Sequence, residues 1–401
     1  MAASTTPAVS IAGPFLAIAL AIGTMIATGG CALVSRQMGE GNAQKARENF
    51  SLFTLFSVII STVFCIVGIL LRKPILYAMG ADTTLYPLCE AYAVPIFLLI
   101  PFAMVSIVFQ MFFVAAGRPG LGFGLSIAGG VTNMVLDYLL MAVFPLGVAG
   151  AAYATAAGYV LQSVIGVVFF ACNRKDALYF VRPRFDGVAL RKACVNGLSE
   201  MVGMLAVTVT MIAMNVILMR LVGADGVAAA AIILSVQTIL SAAYAGYVQG
   251  IAPVVSFQYG CANHTELRAL YRAALRTIAV LSVLSFLAAF PLARPLARLF
   301  AEGSQTVLNM AVRGTFLFSV AFLLMGFNLF ASGFFTAPND GCTSAIISLF
   351  RTLIFLLLPL LVLPGILGVD GVWLSMPTAE ILSAFLSAYY FKTMKSKYNY
   401  A

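Results

Sequence analysis

Long uncharged stretches of apolar residues alternate along this chain with short segments that hold the charges. Residues 1–35, 49–71 and 314–339 contain no Asp, Glu, Lys or Arg. Each is long enough to cross the hydrocarbon core of a bilayer as a helix, which takes about 20 residues. The apolar positions do not alternate with a period of two, so membrane-spanning strands are not predicted. Division of the chain at charges and at Gly and Pro predicts eleven membrane-spanning helices: 8–34, 52–71, 88–115, 121–143, 147–171, 194–221, 226–255, 274–292, 310–336, 342–363 and 369–391.

The overall composition supports this interpretation. Of the 401 residues, 62% are hydrophobic and 9% are charged, and the mean hydropathy is +1.02. Soluble domains contain about 25% charged residues. The fold class predicted is therefore an all-α polytopic membrane protein.

An internal repeat appears when the sequence is shifted by 221 residues. Residues 34–42 (VSRQMGEGN) correspond to 255–263 (VSFQYGCAN), and residues 147–150 (GVAG) correspond to 368–371 (GVDG). Repeated halves in a very apolar chain are typical of transporters that bind their cargo between the halves. We expect two lobes of a 6+6 helix design, related by a pseudo-twofold axis along the membrane normal.

The repeat also predicts the domain organisation. Residues 1–171 form an N-lobe, 172–193 a basic linker, 194–391 a C-lobe and 392–401 a tail. The helix predicted at 194–221 would have its repeat partner upstream of Met1. We therefore expect that the first helix of the 6+6 design is missing from this sequence, which leaves eleven helices.

The basic residues predict the orientation. Most of the 23 Lys and Arg residues fall in segments that would lie on one side of the membrane: 36–47, 118, 174–192, 268–276 and 392–397. Because basic loops stay on the cytoplasmic side, the linker and the C-terminus are expected there, in a multi-pass protein of the cell membrane. Topology thus accounts for the net charge of +9, and a nucleic-acid partner is not indicated.

Several stretches, in order along the chain, resemble the multidrug and toxic compound extrusion (MATE) family: 29–42 (GGCALVSRQMGEGN), 133–137 (NMVLD), 196–200 (NGLSE), 252–264 (APVVSFQYGCANH) and 377–380 (PTAE). The resemblance covers essentially the whole chain. It implies twelve helices in two six-helix lobes, and export of mostly cationic drugs or metabolites coupled to entry of H+ or Na+. Some branches of the family carry a functional acidic residue on the first helix, which this sequence lacks.

Ionisable residues inside the predicted spans are the leading candidates for an ion or substrate site, because burying a charge in a bilayer costs about 2.5–3.5 kcal/mol or more. Glu200 follows Asn196 by one helical turn, so the two side chains share a face. A carboxylate beside an amide can bind a proton or a monovalent cation. The alternative is a carboxyl group that is satisfied by a hydrogen bond between helices.

Further candidates lie in both lobes. Glu380 and Arg351 fall near the middle of neighbouring spans and are expected to form an ion pair, either structural or involved in coupling. Asp137 and Asn133 repeat the one-turn spacing of carboxylate and amide, as an ion site or as a helix-end network. Gln110 and Asn328 line the cavity or join helices.

Other chemistries find no support. The seven Cys residues form no CxxC pair, His264 is the only histidine, and no phosphate-binding GxxxxGK[ST] motif occurs. We expect no enzyme activity, metal or cofactor, and a monomer whose partners are small organic cations, the coupling ion and membrane lipid. The alternative function is a flippase for a lipid-linked precursor, although such a protein would use cationic cavity residues, whereas the buried charges here are mainly acidic.

Overall fold

The apolar stretches form α-helices in the computed structural model, which describes residues 2–144, 146–300 and 304–400. A helix satisfies its backbone N–H and C=O groups within its own segment, as a hydrocarbon environment requires. The helices are α1 (Ala2–Gly39), α2 (Ala43–Leu70), α3 (Arg72–Ala78), α4 (Tyr86–Ala115), α5 (Pro119–Tyr138), α6 (Gly147–Cys172), α7 (Gly187–Val222), α8 (Ala224–Gly260), α9 (His264–Phe300), α10 (Gln305–Ser319), α11 (Phe322–Thr336), α12 (Gly341–Leu349), α13 (Phe355–Leu367), α14 (Val369–Thr393) and α15 (Lys395–Tyr398). The chain also contains two π-helical segments. Leu139–Val143 follows α5, and Phe350–Ile354 lies between α12 and α13.

The helices reproduce the predicted spans closely. Within the described ranges, nine helices are long and apolar enough to cross a membrane, and the pair α10–α11 makes a tenth if it counts as one bent span. The eleventh predicted span, 369–391, is present as the 25-residue helix α14. It is not one of the nine, and it contains buried Glu380 together with the buried serines Ser375, Ser383 and Ser387.

One predicted span is not straight. Residues 310–336 were expected to form one helix, whereas α10 and α11 meet at an angle of 55°. At the break the backbone N–H of Ala321 bonds to the carbonyl of Phe318, and that of Leu323 bonds to the carbonyl of Val320. These are the tighter bonds of a 3₁₀ turn, which replace the regular α-helical pattern. The two residues at the break are Val320 and Ala321. Neither is Gly or Pro, so the sequence does not signal the bend.

The chain divides into two compact units, Met1–Gly197 and Leu198–Ala401. The division falls inside α7, so the last residues of the predicted linker 172–193 are the start of a helix that continues into the second unit. The order of helices repeats between the units. The first residues of α2 and α9, Ala43 and His264, are 221 positions apart, the offset of the sequence repeat.

A cluster of aromatic rings repeats at the same offset. Its members are Phe50, Phe109, Phe113 and Phe170 in the first unit, and Tyr271, Phe330, Phe334 and Phe391 in the second. The ring centroids of Phe113 and Phe170 are 5.0 Å apart, and those of Phe334 and Phe391 are 5.8 Å apart. Such ring pairs add stability beyond the area that they bury. Each half of the sequence therefore forms its own aromatic core.

The segment after the last long helix of each unit folds back onto that core. In the first unit Phe180 stacks on Phe50, with centroids 5.1 Å apart. In the second unit Tyr400 contacts Tyr271 at 5.0 Å, and its hydroxyl donates to the carbonyl oxygen of Phe391. The basic linker and the C-terminal tail are thus docked segments that play the same structural part in their own units.

Ion pairs hold both docked segments, and their charges are reversed between the units. Arg118 forms a two-bond ion pair with Asp176 of the linker, with N–O distances of 2.9 and 3.1 Å. In the second unit the acid comes earlier in the chain than the base. Asp340 pairs with Lys397 of the tail, with an N–O distance of 3.3 Å. The hydrogen bonds from Arg118 hold the pKa of Asp176 below its ordinary value.

Helix α1 and the start of α7 approach each other without intervening side chains. A Cβ atom on Gly29 would overlap the carbonyl oxygen of Ala193, and one on Gly197 would overlap the carbonyl oxygen of Met25. All four residues belong to the first unit. Small residues of this kind allow helices in a membrane protein to pack backbone against backbone. The first turns of α7 are therefore fixed on α1.

We predict that Gly29→Ala lowers the stability of the protein by about 1–3 kcal/mol, the usual cost of overpacking a tight contact. The matched control is Gly130→Ala on α5, where an added Cβ meets no atom within 4 Å. Thermal unfolding of the purified protein in detergent measures both variants. Equal melting temperatures for the two variants would contradict this account of the α1–α7 contact.

Candidate functional site

The predicted ion pair between Arg351 and Glu380 is present in the second unit. Arg351 lies in the π-helical segment and Glu380 in α14. The guanidinium Nη2 is 2.9 Å from Oε1 of Glu380, and Nε lies 3.1 and 3.2 Å from the two carboxylate oxygens. The Glu380 side chain is 1% exposed and that of Arg351 is 11% exposed. A carboxylate this deeply buried is stable only when a partner neutralises it.

Asn328 of α11 completes this network. Its Nδ2 atom donates to the carboxylate of Glu380 at 2.7 Å and to the backbone carbonyl of the same residue at 2.9 Å. The hydroxyl of Ser387 donates to Oδ1 of Asn328 at 3.0 Å. Three predicted site residues therefore meet, and Ser387 is a member that the sequence did not single out. The acid at this point is fully satisfied by protein groups.

Glu200 on α7 has a different environment. Its residue is partly buried, and within the described ranges the carboxylate has no hydrogen bond or ion pair to another side chain. The positive charge of Arg351 acts on it electrostatically. Asn196, its predicted partner, lies one turn earlier on the same helix and is buried at 1% exposure. Glu200 is therefore a partly buried carboxylate that no described side chain neutralises directly.

Hydroxyl contacts fix α7 against the helix that carries Arg351. Ser348 donates to the backbone carbonyl of Ser199 at 2.7 Å, and Thr210 donates to the carbonyl of Thr352 at 3.4 Å. Ser199 precedes Glu200, and Thr352 follows Arg351. These contacts place the carboxylate and the guanidinium on facing segments of the second unit.

In the first unit the two candidate residues of α5, Asn133 and Asp137, have different neighbours. Asn133 does not hydrogen-bond to Asp137; its amide donates to the hydroxyl of Thr155 on α6 at 3.3 Å. The neighbouring helix offers an acceptor within reach, and a one-turn spacing along one helix does not force contact. Asp137 keeps a buried Oδ1 atom without a hydrogen-bond partner in the described part of the chain, and its charge acts on Tyr92 of α4. Thr155 and Tyr92 are thus site neighbours that sequence reasoning missed.

Gln110 joins helices. Its Nε2 atom donates to the side-chain oxygen of Gln162 on α6 at 2.8 Å. Gln162 in turn packs against Gly129 of α5, where a Cβ atom would overlap the amide. This pair connects α4, α5 and α6, which agrees with the interpretation of Gln110 as a contact between helices.

The geometry is that of a polytopic helical membrane protein with a repeated unit, a class to which many secondary transporters belong. The model of the MatE family matches residues 2–139 and 201–361, which is more than half of the chain. The chain belongs to this family, and the resemblance found in the sequence is confirmed.

Individual relatives agree with the family match. Multidrug export protein MepA of Staphylococcus saprophyticus is 23% identical over 385 residues, which cover 94% of this chain and 83% of the relative. A protein of the same name from Staphylococcus aureus is 23% identical over 384 residues, with the same two coverages. The similarity to both relatives thus extends over nearly the whole length of this chain.

Solved structures show the same fold. A crystal structure of MATE in complex with MaL6 has a TM-score of 0.94 and 19% identity, over 99% of this chain and 90% of that one. An outward-facing multidrug resistance MATE family transporter of the MOP superfamily has a TM-score of 0.93 and 19% identity, over 99% of this chain and 89% of that one. The all-helical fold expected from the sequence is confirmed.

We predict that Asn328→Leu destabilises the protein by about 1–3 kcal/mol, because it removes the donor to a buried carboxylate and a buried carbonyl. The control is Ser383→Ala on α14, where the hydroxyl bonds only to a carbonyl of its own helix. Melting temperatures in detergent compare the two. If Asn328→Leu melts no lower than the control, the amide does not support Glu380 as described.

Proposed function

We propose that this protein is a secondary active antiporter. It exports cationic or lipophilic drugs or metabolites in exchange for H+ or Na+, by alternating access. The names of the relatives as multidrug export proteins support the export of small organic compounds. They do not favour the alternative of a flippase for a lipid-linked precursor.

Glu200 carries the proposed exchange. The main support is the contrast between the two buried acids of the second unit. Glu380 is neutralised by Arg351 and Asn328, whereas Glu200 has no direct partner among the described residues. A partly buried carboxylate without a protein partner is stabilised by binding a proton, Na+ or an organic cation. Because these cations compete for one negative charge, binding of one releases the other, and transport is coupled.

Asp137 is the second candidate acid, in the first unit. Its buried oxygen atom without a hydrogen-bond partner and the nearby side chains of Asn133, Thr155 and Tyr92 support a role as an additional ion site. In this proposal Asp137 is an accessory site for the coupling ion, and the exchange with substrate takes place at Glu200. The organic substrate is expected to depend on it less than on Glu200.

The proposed location is the cell membrane, with the basic linker and the C-terminus in the cytoplasm and the protein acting as a monomer. The concentration of Arg and Lys in 172–193 and 392–401 supports this orientation.

We predict that Glu200→Gln lowers gradient-driven efflux by about tenfold or more, since loss of an interaction worth about 1.4 kcal/mol already costs a factor of ten. The assay follows ethidium efflux from proteoliposomes that carry either a pH gradient or a Na+ gradient, which also identifies the coupling ion. The matched control is Glu266→Gln, at an exposed acid in the first turn of α9. Unchanged efflux by Glu200→Gln would rule out the proposed role, and Asp137→Asn tests the second site in the same way.

A further inference from the structure

Three ionisable groups share one region of the second unit: two carboxylates, on Glu200 and Glu380, and one guanidinium, on Arg351. The guanidinium is committed to Glu380 through Nε and Nη2. Paired in this way the two charges cancel, and the negative charge of Glu200 remains available. The distribution of the single positive charge between two acids therefore decides whether Glu200 can bind a cation.

Arg351 lies on a segment that contacts α7, the helix of Glu200. It lies between Ser348 and Thr352, whose hydroxyl and carbonyl groups contact α7 on both sides of the Glu200 region. Its charge already acts on Glu200. Within the described ranges its Nη1 atom has no hydrogen bond, so donors remain that Glu380 does not use.

Glu380 is held by hydrogen bonds from neighbouring side chains, whereas Glu200 has none among the described residues. Asn328 binds both the side chain and the backbone of Glu380, and Ser387 orients Asn328. This support favours the present pairing, in which Arg351 stays with Glu380. Besides Glu380, Glu200 is the carboxylate on which the charge of Arg351 acts.

We propose that Arg351 is a tethered cation that competes with the transported cation for the Glu200 carboxylate, and that Glu380, positioned by Asn328, is the counter-site that holds it away. This inference rests on the proposed role of Glu200. It explains why a neutral ion pair is built beside an exchangeable acid. If Arg351 neutralised Glu200 itself, the site would no longer need an external cation, and coupling would be lost. Glu380 is thus a positioning residue that keeps Glu200 available.

The test measures the Kd of tetraphenylphosphonium, a permanent monovalent cation, for the purified full-length protein in detergent at fixed pH. Glu380→Gln releases Arg351 to Glu200, and we expect binding to weaken by about tenfold or more, the size of effect that a close opposite charge has on a carboxylate. The double variant Arg351→Gln with Glu380→Gln removes the competitor, and its Kd is expected to return close to that of the unsubstituted protein. The matched control is Asp370→Asn. Asp370 lies on α14, the helix of Glu380, and it is partly exposed and paired with Arg313 of α10.

The outcomes separate the two proposals. Each Kd is measured on folded, monodisperse protein, so that a loss of stability alone does not change it. If Glu380→Gln binds as tightly as the unsubstituted protein, or if the double variant binds no tighter than Glu380→Gln, the inference is overturned. If Glu200→Gln itself binds tetraphenylphosphonium normally, the proposed function fails instead. Should Glu380→Gln not fold, Glu380→Asp keeps the charge but shortens its reach, and an unchanged Kd in that variant overturns the inference equally.

Discussion

The central physical constraint on this protein is the cost of a charge in a hydrocarbon environment. A carboxylate there needs a partner, and the partner can be a fixed protein group or an ion that comes and goes. Glu380 has the fixed kind, with Arg351 and Asn328 supplying charge and hydrogen bonds. Glu200 lacks it among the described residues, and this difference between two acids of one unit is the basis of the proposed exchange.

The same constraint explains how the rest of the unit is built. The helices that carry these groups are joined by hydroxyl contacts to backbone carbonyls, as between Ser348 and Ser199. Such contacts add no charge to the apolar layer and still fix the register of neighbouring helices. The polar groups of the second unit therefore divide into those that position helices and those that carry charge.

Duplication has preserved shape more strictly than chemistry. The aromatic rings at equivalent positions keep their contacts, although Phe50 of the first unit is replaced by Tyr271 in the second. The ion pairs that hold the linker and the tail keep their place but exchange their signs, since Arg118 faces Asp176 whereas Asp340 faces Lys397. An ion pair contributes the same attraction whichever of the two positions carries the acid. Only the presence of one acid and one base has to be maintained.

Much of this could be predicted from the sequence because the signals are local or periodic. Span length follows from apolar runs, and the repeat of helix order follows from matches at one offset. The ion pair of Arg351 with Glu380 was predictable because two opposite charges in neighbouring spans have few other ways to be neutralised. The partner of Asn133 was not, because Thr155 lies on another helix and nothing in the spacing of the two residues identifies it.

The sequence by itself thus determined the membrane class, the repeated helices and the acids that need partners, since hydrophobicity and charge are properties of the residues. Only the tertiary structure decided which acid is neutralised and which is not, and where the span at 310–336 bends. Those outcomes depend on which side chains and carbonyls neighbouring helices bring within hydrogen-bonding distance. That arrangement is a property of packing, which no single stretch of sequence contains.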